Sequence, residues 1–176
     1  MSGSRFTPGA AVTERTRRLR KIWRAMTPDE RVRAVRASGP DRGAGVVVAL
    51  RGHLAKALKV RPATLQSWGV QQVADATLRA PLGEDVLADL LIAFHLTERV
   101  PLLSAFLDAA GVPHTDGSIE PDAAVDLEPS RVEGAADAVL ANFPEHDARI
   151  YFATLIAMEA GPWAPLESRL DESLKG

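Results

Sequence analysis

Two groups of side chains in this sequence could do chemistry by type and spacing. The first combines histidines with carboxylates. His95 and Glu98 lie three residues apart, which places them on one helical face. His114 and Asp116 follow in a turn-rich stretch, and Glu145, His146 and Asp147 are consecutive. Imidazole and carboxylate together ligate divalent metals and move protons, so His95, Glu98, His114 and Asp116 are the candidates for a catalytic role. The spacing is not diagnostic. Di-iron helical bundles use Glu-x-x-His, whereas the order at His95 and Glu98 is reversed and has no second copy. No His-Glu-x-x-His occurs. The plainer reading has His95 bordering the core, paired with Glu84, Glu98 or a backbone carbonyl, and His146 exposed at a helix start. On that reading no metal or cofactor is expected.

The second group is cationic. The stretch RTRRLRKIWRAM, residues 15–26, holds Arg15, Arg17, Arg18, Arg20, Lys21 and Arg24 around Leu19, Ile22, Trp23 and Met26. The four apolar residues recur at i, i+3, i+4 and i+7 and form one stripe of a helix. The basic residues crowd the opposite arc. Like charges at i,i+3 and i,i+4, such as Arg17 with Lys21 and Arg20 with Arg24, repel by ~0.2–0.5 kcal/mol per pair. An anionic neighbour relieves that repulsion. Nucleic-acid phosphate, an anionic membrane surface and acidic protein surface each qualify.

Other signatures are missing. There is no P-loop, no dinucleotide fingerprint after a strand and no Gly-x-Ser-x-Gly. Gly43-Ala44-Gly45 before an apolar helix lacks the lysine or third glycine of a phosphate cradle. Ser118 and Ser130 have no base within foreseeable reach. Thr64–Trp68 could be read as a recognition helix, but the segment is brief and the next helix carries no basic residue before Arg79. Without cysteine there are no disulfides, thiolate zinc sites or iron–sulfur clusters.

Composition bounds the object that must hold these groups. The chain has 176 residues, 46 % hydrophobic and 25 % charged, enough for one domain with a real core. Aromatics are 5 %, so the core is expected to be aliphatic. No apolar run reaches membrane-spanning length and the N-terminal stretch has no signal-peptide core, which points to the cytoplasm. Arginine supplies 17 of the 21 basic residues, the bias of a GC-rich bacterial genome. Net charge is −2, yet residues 1–61 carry 15 basic and 4 acidic side chains while 62–176 carry 6 and 19. The first portion is +11 and the remainder −13, and this asymmetry is the largest signal in the sequence.

The elements follow from caps and periodicity. Residues 1–12 read as a flexible arm, with a helix over 14–26 behind it. Thr27-Pro28-Asp29-Glu30 is a capping box with proline at the first helical position, opening a helix to about Ala37. Val46–Leu58 reads as helix by its later period, although its three valines would suit a buried strand. Pro62 opens a short helix, and 70–79 holds another. Glu84–Glu98 is apolar around most of its circumference and so is expected to be central. Pro101 opens a helix closed by Gly111. Residues 112–129 are irregular, with a turn at Asp116-Gly117. Ser130–Glu133 reads as a second capping box for a helix to Asn142. Pro144 starts the next, which Gly161 ends, and a short amphipathic tail follows Pro165. Residues 88–113 and 136–162 resemble each other loosely, as ordinary helical hairpins do. The expectation is an all-α single domain of eight or nine helices, packed as an orthogonal or bundle-like array.

The expected function is non-enzymatic: a helical interaction, assembly or regulatory module. Arg17, Arg18, Arg20, Lys21 and Arg24 would meet acidic surface on this chain, on a second copy or on another protein. A first alternative is nucleic-acid binding through the same residues with Arg15, Arg31, Arg33 and Arg36. A second is a metal-dependent enzyme using the His/carboxylate set. The apolar stripe is too short to favour a membrane surface.

Overall fold

Trp23 begins the core, and the fold is most easily followed from it. The computed structural model describes residues 9–39, 44–80, 82–120 and 127–175. Helix α1 (Gly9–Ala25) turns the whole stripe Leu19, Ile22, Trp23 and Met26 inward. It starts ahead of the expected residue 14. Residues 1–8 of the predicted arm lie outside the described part. Helix α2 (Pro28–Ala37) follows from the capping box: Thr27 Oγ1 accepts from the Glu30 N–H at 3.2 Å, and Glu30 Oε2 accepts from the Thr27 N–H at 2.7 Å. The Arg31 side chain folds back to donate to the Met26 carbonyl, satisfying an acceptor just past the end of α1.

Helix α3 (Ala44–Leu58) settles the helix-or-strand question, and Leu50 and Leu54 anchor it in the core. The Gly43 of the weak phosphate-cradle reading lies outside the described residues. Helix α4 (Pro62–Gln66) buries Leu65 alone, too short a span for a recognition helix, and Trp68 is half-buried beyond it. Helices α5 (Val70–Thr77), α6 (Glu84–Glu98) and α7 (Val100–Ala110) come next. Between α6 and α7 the chain bends by 93°. Gly111 ends α7 at φ 72°, the left-handed conformation of a glycine stop.

The irregular stretch contains a small surprise. Strands β1 (His114–Thr115) and β2 (Ser118–Ile119) pair antiparallel around Asp116 and Gly117, both at positive φ (50° and 81°). Two such residues make the primed hairpin turn that Asp-Gly favours. A Cβ on Gly117 would come within 2.7 Å of Leu103, so glycine is needed for space as well as for φ. Two residues per strand give no alternation for a sequence pattern to register.

Helix α8 (Pro129–Asn142) starts one residue before the expected cap. Glu128 takes the N-cap position without a side-chain bond, so the Ser130–Glu133 box does not form. Pro129, with φ already helical, fixes the first position instead. Helix α9 (Glu145–Met158) ends before Gly161, which lies inside the short α10 (Ala160–Trp163). The predicted tail helix is a 3₁₀ segment over Ala164–Arg169, with Leu166 buried.

The described residues therefore form an all-α domain of ten α-helices and one 3₁₀ helix, eight of the α-helices running eight residues or more. Helix α6 packs against α1, α2, α3, α7 and α9, as a central helix should. Yet α9 is the more enclosed, buried at every position from Ile150 to Ala157, whereas α6 leaves Ile92 exposed. Phe106, Tyr151, Phe152 and Trp163 cluster around it with ring centroids 5.3–6.2 Å apart. No single helix among the described residues is long and apolar enough to cross a membrane.

Candidate anion-binding face

The burial of its stripe dictates where α1 points its cations: across a rim toward the rest of the chain, or outward. Those at the rim meet partners. Arg15 pairs with Glu84 at 2.8 Å and donates to the Ala157 carbonyl at 3.0 Å. Arg18 pairs with Glu167 and, at 3.6 Å, with Glu14. Lys21 donates to the Lys175 carbonyl at 2.6 Å. The basic segment thus leans on carboxylates and carbonyls from far along the chain, as the charge asymmetry suggested it could.

The outward cations differ. Arg17 and Arg24 are exposed and have no hydrogen-bond or ion-pair partner among the described residues. Arg20 is exposed and donates only to the Leu82 carbonyl, at 3.2 Å, leaving its charge unmatched. Arg20 and Arg24 stand at a pocket of about 230 Å³ between α1, the end of α5 and the start of α6. Its floor is Trp23, Thr77, Leu82 and Leu87, all buried. Trp23 Nε1 donates to Thr77 Oγ1 at 2.8 Å, and Thr77 donates on to the Ala74 carbonyl at 2.6 Å, so the floor is held by a satisfied pair. The rim adds Arg79 and Leu78, both exposed. Three arginines line this pocket, and among the described residues no Asp or Glu lines it.

Sequence reading named Arg20 and Arg24 and missed Arg79. It lies 55 positions beyond Arg24, within the portion counted as acidic. Of the wider nucleic-acid set, Arg31 is buried against the end of α1 and Arg33 pairs with Glu98 at 3.1 Å, while Arg36 is exposed.

The opposite charge arrangement occurs where α2, α7 and α9 begin. Glu30, 3 % exposed, receives Arg99 on Oε1 at 3.0 Å and both the Thr27 N–H and His146 Nε2 on Oε2. Arg99 Nη2 also reaches Asp147 at 2.8 Å, and its guanidinium lies 5.2 Å from the Phe94 ring centre. Burial works to raise the Glu30 pKa. The Thr27 N–H and the His146 ring outweigh it, and the carboxyl titrates below its ordinary value. Glu30, His146 and Asp147 bring ligand atoms within 4.8 Å of one another, the only such group among the described residues. Arg99 bridges the two carboxylates, and a dication among them would face a guanidinium. The arrangement fits a structural lock joining three helix starts. The sequence placed His146 at an exposed helix start. It is 46 % exposed and reaches back to Glu30.

The four residues named for catalysis stay apart, each with a local role. His95 is buried between Phe94 and Tyr151, with ring centroids at 5.4 and 5.3 Å. Its partner is Thr154 at 3.1 Å, and not Glu84, Glu98 or a carbonyl. The Thr154 hydroxyl donates to the Ile150 carbonyl at 2.8 Å, so its oxygen is left to accept and His95 Nε2 carries the proton. Nδ1 is then a buried lone pair without a partner among the described residues. Protonating it would bury a charge. That desolvation, with the Arg99 charge nearby, lowers the His95 pKa to about 3. Glu98 serves Arg33. His114 pairs with Asp108 at 3.2 Å and accepts from the Gly117 N–H, and Asp116 is an exposed turn residue.

These features define the class: an all-α domain with an unmatched arginine face. No protein-family model matches the chain, and neither a known protein nor a solved structure matches it.

Proposed function

We propose that this is a non-enzymatic binding module that engages acidic protein surface through the α1 cations its own carboxylates leave free. The observation that carries the reading is the split of one helix's charge. Arg15, Arg18 and Lys21 are occupied by the chain itself, whereas Arg17, Arg20 and Arg24 face outward with unmatched charge. Unmatched surface charge speeds and orients encounters with a partner of opposite sign. The partner is another protein or a second copy of this chain, whose residues 62–176 are strongly acidic. A continuous track for a phosphate backbone is less well supported, because six of the nine basic residues in that reading donate to the chain's own groups. A cytoplasmic setting belongs to the proposal, and the cysteine-free composition suits it.

The test is fluorescence anisotropy with a labelled oligoglutamate peptide and a labelled DNA duplex at about 50 mM salt. The peptide is expected to bind wild type, and the triple reversal R17E/R20E/R24E to lose it while keeping its helical circular dichroism. Peptide binding unchanged by the triple variant, or absent at low salt, sinks the reading. Tight duplex binding that falls steeply with salt replaces it with the nucleic-acid one.

A further inference from the structure

The pocket ringed by Arg20, Arg24 and Arg79 asks more of a ligand than negative charge. We propose that it recognises a phosphorylated side chain on the acidic partner, an inference that rests on the acidic-surface reading above and names its specificity element. Three arginines line a space of about 230 Å³, and among the described residues that lining holds no carboxylate. One carboxylate carries a single charge, and one arginine satisfies it bidentately. A phosphate monoester carries a charge of about −1.5 to −2 and three acceptor oxygens, which matches several arginines at once. Size points the same way. Small-molecule sites run to roughly 300–1,000 Å³, so this space suits one side chain better than a whole cofactor.

The surroundings favour a peptide as the source of the phosphate. Leu78, 41 % exposed on the rim beside Arg79, offers an apolar contact to a residue flanking the phosphate. Arg17, on the same helix, is free for acidic residues further along the segment. The buried Trp23–Thr77 pair fixes the floor, so the site is formed before the ligand arrives. Arg20 spends one donor on Leu82, which holds its stem in place and leaves other N–H groups free.

The experiment compares an acidic peptide bearing one phosphoserine with the same peptide bearing glutamate there, and with inorganic phosphate alone. Titrations use the full chain, Arg79→Gln and Arg36→Gln. Arg79 is not part of the α1 face, so its variant separates the two levels of the proposal. The phosphopeptide is expected to bind wild type about tenfold tighter than its glutamate counterpart. Arg79→Gln removes that advantage and leaves oligoglutamate binding within about twofold, whereas Arg36→Gln preserves both. The advantage also shrinks below about pH 6, as the phosphate takes up its second proton. Equal affinity for the two peptides overturns the pocket's role and leaves the acidic-surface reading standing. An advantage that survives Arg79→Gln places the phosphate elsewhere and overturns the proposal. Inorganic phosphate binding as tightly as the phosphopeptide overturns the assignment to a protein side chain. Loss of all peptide binding in wild type fails the underlying reading itself.

Discussion

Arg99 and Arg79 are the same side chain in opposite settings. Arg99 sits among Glu30, Asp147 and the face of Phe94, with His146 sharing Glu30. Arg79 stands with Arg20 and Arg24 around a pocket that no carboxylate lines among the described residues. At the first site positive and negative groups are matched and half-hidden from water, and three helix starts are tied together. At the second, positive charge accumulates with no carboxylate partner among the described residues. Charge that the fold does not use is available to a partner. Hence the sign of a surface says less about function than whether its charges are already matched.

The comparison breaks most visibly at Arg99. Replacing it with methionine strands the Glu30 carboxylate, which is 3 % exposed, and is expected to cost about 3 kcal/mol in urea unfolding at unchanged m-value. That is the low end for breaking a buried pair, because Arg99 itself keeps some exposure. A cost near zero would make the network an ordinary surface pair and erase the contrast.

Acid attacks the same end of the molecule. His95 has a folded pKa of about 3, below its ordinary 6.5, so the unfolded chain binds the proton more readily. Stability is complete above pH 6.5 and declines as pH falls toward 3, by about 2 kcal/mol between pH 6 and 4.5. Glu30, also lowered, adds to the loss below its ordinary value of 4.5. Urea midpoints across that range check both, and His95→Gln is expected to flatten the upper part of the profile. The arginine pocket contributes nothing to this profile, because its charges are constant there.

Thr77→Val tests the pocket floor. It leaves the buried Trp23 N–H without its acceptor and is expected to cost about 1–2 kcal/mol by the same unfolding assay, with a change in tryptophan fluorescence. Arg79→Gln marks the smallest effect. It removes no partner among the described residues, so the urea midpoint is expected to stay where it is. A measurable destabilisation would mean that Arg79 is matched after all.

Sequence alone carried much of this, and its failures have physical causes. The stripe from Leu19 to Met26 and the Thr27–Glu30 box were legible because both are local patterns. So was Gly111 as a stop, since its positive φ is a local requirement. The Ser130 box failed because Pro129 began the helix earlier, and either start was locally acceptable. Gly161 was misplaced because α9 gives way to a second short helix that carries a glycine and a proline. The hairpin at His114–Ile119 is too short to show alternation. Two of the pocket's three arginines, Arg20 and Arg24, were named from the sequence. Arg79 was hidden, because only folding brings the end of α5 beside α1. The Glu30 network stayed unseen for the same reason: its members lie at positions 30, 99, 146 and 147.

The most direct test of the central claim, that the α1 face and its pocket hold charge unused by the fold, follows arginine Nε–Hε resonances while oligoglutamate is titrated into the labelled protein. The Arg17, Arg20 and Arg24 signals are expected to move along one saturating curve while Arg31 and Arg99 stay fixed. Movement of Arg99 with Arg24 unmoved, or no movement of any signal at low salt, would contradict it.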